Sequence, residues 1–268
     1  MTDRLLTSTE AAAWLGASPT SVKRWADAGE LECVRTVGKH RRFTLESLER
    51  FSAQRGGPSV ATSVSEWLPL VLERNVDAVH GQLLLERSRS ESWADVCDRL
   101  APVLTEIGEA WAAGSLRVID EHLATERIAR ALARVVDSIA VAATGPTAML
   151  MTVDGDDHTL GLGLAEVALR EAGWRTLWSG RSTPMPEVQE ILVQRDISLL
   201  AVSASSYSGD EAHMAEQMEA LESAAEAAGA TLVLGGAGAW PSSAPRRLRS
   251  FRDLGQVARE LRGERASP

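Results

Sequence analysis

Asp156-Asp157-His158-Thr159-Leu160-Gly161 decides how this chain is read. A short apolar run, Ala148 to Val153, precedes it and reads as a buried strand. Leu162 to Gly173 follows and reads as an amphipathic helix. His158 therefore sits in a loop at the C-terminal end of a strand, where open α/β sheets place their ligands. Asp156 precedes it by two residues, close enough to accept the proton of one ring nitrogen. That fixes the tautomer and leaves the other nitrogen free to bind a metal. Gly161 lets the backbone come close to something bulky. Taken alone, the stretch reads equally well as a solvated acidic turn. The rest of the chain decides between the two.

Working outward, the chain from Thr147 onward alternates strand and helix. The strands are Ala148 to Val153, Arg175 to Trp178, Leu199 to Ser203 and Thr231 to Leu234. Helical stretches intervene, among them Asp210 to Ala228, and a fifth strand and a last helix fall within Arg247 to Arg262. This order predicts a doubly wound, flavodoxin-like parallel sheet. Three strand ends carry small or polar residues: Asp154 to Gly161, Ser203 to Ser206, and Gly235-Gly236. All three should lie along one edge of the sheet.

The totals set limits. At 268 residues the chain suits two or three domains, and its 44% hydrophobic content is ample for packed cores. No run of eighteen apolar residues offers a membrane span. Met1-Thr2-Asp3-Arg4 has no signal-peptide layout, so a cytoplasmic protein with no membrane partner is expected. Cys33 and Cys97 lie far apart and read as reduced thiols. The net charge of −9 argues against nucleic acid, but the charge is segregated. Residues 1–57 hold nine Lys/Arg and seven Asp/Glu, whereas the remainder holds 19 and 30. A small basic module on an acidic body is the asymmetry of a nucleic-acid reader fused to something else.

That basic module has its own pattern. Thr7-Ser8-Thr9-Glu10 starts a helix that Gly16 stops. Ser18 and Pro19 open a second helix, which Gly29 closes. Val22 and Trp25 should face inward. Leu31 to Thr36 then alternates like a strand, turns at Gly38-Lys39 and returns through Arg41-Arg42-Phe43-Thr44. The hairpin is a wing whose tip carries Lys39, His40, Arg41 and Arg42. Thr20-Ser21-Val22-Lys23-Arg24-Trp25 and Thr36-Val37-Gly38-Lys39-His40-Arg41-Arg42-Phe43 resemble the winged helix of the MerR and excisionase-like families. The resemblance implies that the second helix enters the major groove of duplex DNA and that the wing grips the phosphate backbone. Ser21, Lys23 and Arg24 can reach base edges or phosphates from one helix. The alternative is a protein-binding winged helix with a solvated wing.

Gln54 to Val60 is rich in Gly, Pro and Ser and reads as a linker. The domain plan is a DNA-binding domain at 1–55, a linker at 56–64, a four-helix bundle at 65–143 and an α/β domain at 147–268. Four helices follow from apolar positions recurring at three- and four-residue steps between Trp67 and Ile139. Within them Trp111 is followed, after nine residues, by Glu121-His122. Trp111 should end one helix, and Glu121 and His122 should lie about two turns into the next, after a stop and cap at Gly114-Ser115. On composition alone these are a core tryptophan and an exposed Glu-His pair.

Asp156-x-His158-x-x-Gly161, then Ser203, then Gly235-Gly236 is similar to the cobalamin-binding domain of the methionine synthase and methylmalonyl-CoA mutase type. There the histidine ligates cobalt from below, the aspartate bonds the histidine, and the nucleotide tail threads past the serine and the glycine pair. A winged helix, a bundle with Trp111-x9-Glu121-His122 and this domain, in that order, resemble the light-responsive repressors of the CarH/LitR type. That resemblance implies adenosylcobalamin as cofactor, with Trp111 packed on its upper ligand and Glu121 and His122 beside it. In that family a histidine follows the tryptophan and ligates cobalt after light has removed the adenosyl group. Here Ala112 stands at that position and has no donor atom. The related photocobilins add biliverdin against the bundle, and an alanine leaves room for it. The preferred reading is a light-responsive, cobalamin-dependent transcription regulator rather than an enzyme, acting as a homodimer or homotetramer. A corrinoid carrier in methyl transfer and a dark cobalamin sensor are the other two.

Overall fold

Thr7 and Glu10 start the first helix by capping each other. Thr7 Oγ1 accepts from Glu10 N at 3.2 Å, and Glu10 Oε2 accepts from Thr7 N at 2.7 Å. The computed structural model describes residues 5–15, 18–36, 38, 40–54, 64–141 and 143–263. Lys39 and residues 56–63 of the expected linker lie outside the described residues. The described chain forms two units.

The first unit comprises Met1–Ser92 and Arg99–Val135. It opens with α1 (Ser8–Trp14) and α2 (Pro19–Asp27), the latter capped by the Ser18 side chain. A two-stranded antiparallel ladder follows, β1 (Val34–Arg35) and β2 (Arg41–Arg42), then α3 (Leu45–Gln54). Val22, Leu31, Phe43, Leu48 and Phe51 form the core, and the Trp25 ring packs on Phe51 at 5.1 Å. The wing is shorter than the alternation predicts. Phe43 exchanges both backbone hydrogen bonds with Leu6, each at 2.9 Å, so the segment before α1 takes the place of a longer partner strand.

The four helices of the bundle are α4 (Val64–Glu73), α5 (Val76–Ser88), α6 (Trp93–Ala112) and α7 (Val118–Ser138). Val71, Val79, Leu83, Val103, Ile107, Ile128 and Leu132 are buried. Arg127 Nη1 donates to the carbonyls of Val71 and Leu72, closing the end of α4. Leu85 of α5 is buried among the winged-helix core residues, so α5 serves both parts. Glu121 ends the first turn of α7 and His122 opens the second, so they are not two turns in. The cause is Ser115, whose backbone N–H and hydroxyl both return to the Ala110 carbonyl at 2.9 Å. Ser115 therefore finishes α6 instead of starting α7.

The second unit comprises Trp93–Asp98 and Val136–Pro268. Its elements are β3 (Thr147–Thr152), α8 (Leu160–Glu171), β4 (Arg175–Gly180), α9 (Met185–Gln194), β5 (Ile197–Ser203), α10 (Glu211–Ala228), β6 (Thr231–Gly235) and α11 (Phe251–Leu261). The four strands are parallel in the order β4-β3-β5-β6. Alternate residues of β3 feed opposite faces, as the period of a strand requires. Met149 and Met151 pack with Val188 and Leu192 of α9 and Met214 and Leu221 of α10. Ala148 and Leu150 pack with Leu162 and Leu169 of α8 and Leu254 and Ala258 of α11. From β3 the chain goes first to β4 on one side, then to β5 on the other. The loops after β3 and β5 thus diverge, and their crevice is where such sheets bind ligands. The expected fifth strand is only a bridge, Leu234 to Arg247. Arg246 has φ +42°, and Ser250 already caps α11, so too few residues remain for a ladder.

Trp174 joins α11 to the sheet: it is fully buried, and its indole N–H donates to the Ala258 carbonyl at 2.9 Å. Trp174→Ala should cost this unit about 3–5 kcal/mol, read as a lower urea midpoint by circular dichroism. Trp174→Phe should cost clearly less, because the ring still fills the space.

Candidate functional site

The loop after β3 is tied down before His158 is reached. Thr152 Oγ1 donates to the Asp156 carbonyl at 2.5 Å and accepts from Ser182 N at 2.9 Å. Val153 N donates to the Ser203 carbonyl at 3.2 Å, so the loop leaves the sheet beside the end of β5. The turn delivers the Asp156 carboxylate, only 2% exposed as a residue, into a ring of donors. Oδ1 accepts from His158 N at 2.9 Å, His158 Nδ1 at 2.8 Å and Ser205 Oγ at 3.1 Å. Oδ2 accepts from Ser205 N at 2.6 Å and Ser208 Oγ at 2.7 Å. Burial pushes the Asp156 carboxyl up, but the His158 and Ser205 backbone N–H groups, the Ser208 hydroxyl and the His158 ring outweigh it. The group is held below the ordinary carboxylate range.

An ionised carboxylate can only accept, so His158 Nδ1 carries a proton, and in the neutral ring the lone pair is on Nε2. That nitrogen has no hydrogen-bond partner among the described residues, and the side chain is 58% exposed. Tyr207 stacks on the imidazole at 5.4 Å between ring centres and 21° between planes. The result is an oriented imidazole with one basic nitrogen open to a ligand. No group of three His, Cys, Asp or Glu among the described residues is placed to hold a bare metal ion.

The glycines around it are unequal. A Cβ on Gly161 would stand 3.2 Å from Ser203 Oγ, so Gly161 and Ser203 lie side by side. Gly236 has φ +84°, and a Cβ there would lie 2.1 Å from the Ala204 carbonyl oxygen. Gly235 is under no such constraint; a Cβ would meet only the Val202 carbonyl, at 3.9 Å. Sequence reasoning missed Ser205, Ser208 and Tyr207. Their signal was the run of hydroxyl residues Ser205-Ser206-Tyr207-Ser208 just after a strand.

In the first unit, Trp111 is 40% exposed at the end of α6, and Ala112 beside it is exposed. Glu121 Oε1 accepts from Thr125 Oγ1 at 2.7 Å, and Glu121 Oε2 lies 3.6 Å from His122 Nε2. Val118, Ile119 and Leu123 are exposed on the same turns of α7. On the winged helix, Lys23, Arg24 and His40 are exposed. The Ser21 hydroxyl is engaged with Ser18 Oγ at 3.0 Å. Arg42 is half-buried and donates to the Arg41 carbonyl, and Arg41 is held by Asp27.

Residues 5–56 match the family model described as a helix-turn-helix domain. Residues 70–135, most of the bundle, match the model described as a B12 binding domain. Among curated protein sequences none matches the chain. The structure of the Methanosarcina barkeri monomethylamine corrinoid protein superposes with a TM-score of 0.56 at 15% identity, covering 73% of this chain and 96% of its own. A cobalamin-binding protein from Desulfitobacterium hafniense gives a TM-score of 0.37 at 14% identity, over 74% of this chain and 98% of its own. At 15% identity the likeness to the corrinoid protein is one of fold. The chain joins a helix-turn-helix domain to a B12-binding domain.

Asp156 makes a test independent of any ligand. Because its carboxyl is lowered, its contribution to the loop is present above the ordinary value of about 3.9 and is lost as pH falls through the lower folded-state value. Amide exchange at His158 and Ser205 should therefore stay protected through the ordinary carboxylate range. In Asp156→Asn it should be fast at every pH, with the amides of β3 unchanged.

Proposed function

We propose that this chain is a cytoplasmic, cobalamin-dependent transcription regulator that responds to light. The observation that carries the reading is the oriented His158, wired through buried Asp156 at the sheet's C-terminal edge, in a chain that begins with a helix-turn-helix domain. His158 Nε2 would take the lower position on cobalt, and Asp156 would hold its ring. Gly161, Ser203, Gly235 and Gly236 lie at the strand ends along which the nucleotide tail would fit; Gly236 lets its own chain pass close over Ala204, and no side chain at Gly235 or Gly161 intrudes. Cobalamin brings its own equatorial ligands and, in the adenosyl form, a light-sensitive bond between cobalt and carbon. The protein then needs to supply only one side-chain ligand, which agrees with a lone imidazole.

In this reading the bundle covers the upper face, with Trp111, Glu121 and His122 toward the upper ligand. Trp111 offers a flat apolar surface, and Glu121 can accept from ribose hydroxyls or pyrrole N–H groups. Ala112 supplies no donor, so any imidazole on that face must come from elsewhere, and His122 is the nearest by sequence. A bilin such as biliverdin against Trp111 is the two-chromophore form of the same proposal. The MerR-like winged helix would read duplex DNA as a homodimer or homotetramer, with Ser21, Lys23 and Arg24 on the recognition helix and Lys39, His40 and Arg42 on the wing. A second reading, a corrinoid carrier in methyl transfer, draws support from the shared fold of the corrinoid protein. DNA binding by the full chain separates the two.

His158→Ala should abolish the histidine-ligated absorption spectrum or weaken cobalamin binding severely. Asp156→Asn should weaken it about 10–100-fold, as changes behind a ligand usually do. An unchanged spectrum in His158→Ala would exclude this ligand.

Illumination tests the upper face. A spectrum with imidazole on both faces should appear in Ala112→His and be weak or reversible in the wild type, where it should depend on His122. Its persistence in His122→Ala would defeat the assignment. Far-red absorption on adding biliverdin, lost in Trp111→Ala, would select the two-chromophore form.

A further inference from the structure

The wing carries a conflict of charge that one residue resolves. Arg35 and Arg41 are directly opposite each other in the β1–β2 ladder, and like charges so placed repel. Asp27 ends α2, where the helix dipole disfavours a carboxylate. It would also face a polyanion if α2 entered a DNA groove. Each residue is unfavourable by itself, and together they form one cluster. Arg41 Nη2 donates to both Asp27 oxygens, at 2.5 and 2.7 Å, whereas Arg35 reaches one of them, at 3.1 Å. The side chains are 21% exposed for Arg41, 50% for Asp27 and 55% for Arg35. The Arg41 Nε is buried, so the stem of the side chain is covered while its tip holds Asp27. The hydrogen bond from Arg41 holds the Asp27 carboxyl below its usual range.

We infer that Asp27 and Arg41 form an internal strut that sets the angle between recognition helix and wing, and that Arg35 is the cation that leaves Asp27 for a DNA phosphate. Arg41 is a positioning residue: its Nη2 is committed to both oxygens of a carboxylate on another element, which leaves it less than Arg35 to offer DNA. Arg35 makes one longer contact, is more exposed and lies on the same carboxylate. Exchanging Asp27 for a phosphate costs it one contact and leaves Asp27 still neutralised by Arg41. This deepens the helix-turn-helix reading and rests on it.

The test uses the full chain and a fluorescein-labelled random-sequence duplex, with anisotropy titrated against salt, beside amide exchange in residues 34–42. Arg35→Ala should lower the slope of log K against log salt by about 0.9, the value of one phosphate contact, with exchange unchanged. Arg41→Ala should speed exchange across the wing. Asp27→Arg should do the same, and the swap Asp27→Arg with Arg41→Asp should restore protection, because the new carboxylate then lies between two arginines. A purely space-filling Arg41 would not be rescued by that swap. An unchanged slope in Arg35→Ala, or unchanged exchange in Arg41→Ala, overturns the proposal. If the wild type does not bind duplex at all, the DNA reading fails, and the exchange results still decide whether the strut exists.

Discussion

Asp156 is the constraint on which the α/β unit's site depends. One buried carboxylate accepts from two loops that leave the sheet in different directions, the one after β3 and the one after β5. Burying it is costly unless every lone pair is used. Five donors use them, and the same bonds orient the imidazole. Loop closure, tautomer choice and the placing of a basic nitrogen are therefore one event. The site is organised by the fold itself, so a ligand meets an imidazole already turned toward it.

Much of this was legible in the sequence, for identifiable reasons. A parallel strand buried on both faces reads as a nearly continuous apolar run, and Ala148 to Val153, broken only by Thr152, is one; all six residues of β3 are buried. Asp156 and His158 are two residues apart, so their bond needs only local geometry. Ser205 and Ser208 were not legible as partners, because nothing local says that hydroxyls some fifty residues away reach this carboxylate. Arg41 reads as a wing-tip cation until Asp27, on a different helix, is seen to hold it. Ser115 reads as the start of α7 because hydroxyl residues usually begin helices, but its bonds run backward to Ala110. Each of these features has the same origin: a side chain whose partner lies on another element or on the far side of a turn.

The first unit suggests how a change in the bundle would reach the DNA-binding part. α5 belongs to the four-helix group, yet its Leu85 is buried with Val22, Leu31, Phe43 and Leu48 of the winged helix. Close-packed cores do not deform smoothly, so displacing α5 would disturb α1 and the recognition helix with it. The apolar surface left exposed on α6 and α7 by Trp111, Val118, Ile119 and Leu123 lies on the same bundle. A ligand on that surface and a duplex on the wing would act on one packed body.

The central claim is that His158 ligates cobalt. Its most direct test is electron paramagnetic resonance of the protein loaded with cobalamin in its paramagnetic Co(II) state, prepared once with natural histidine and once with histidine labelled with nitrogen-15. Splitting of the cobalt lines by the axial nitrogen should change from triplets to doublets on labelling, and the effect should vanish in His158→Ala. Triplets that persist in the labelled protein would mean that the axial nitrogen belongs to the cofactor's own base, and the account would be contradicted.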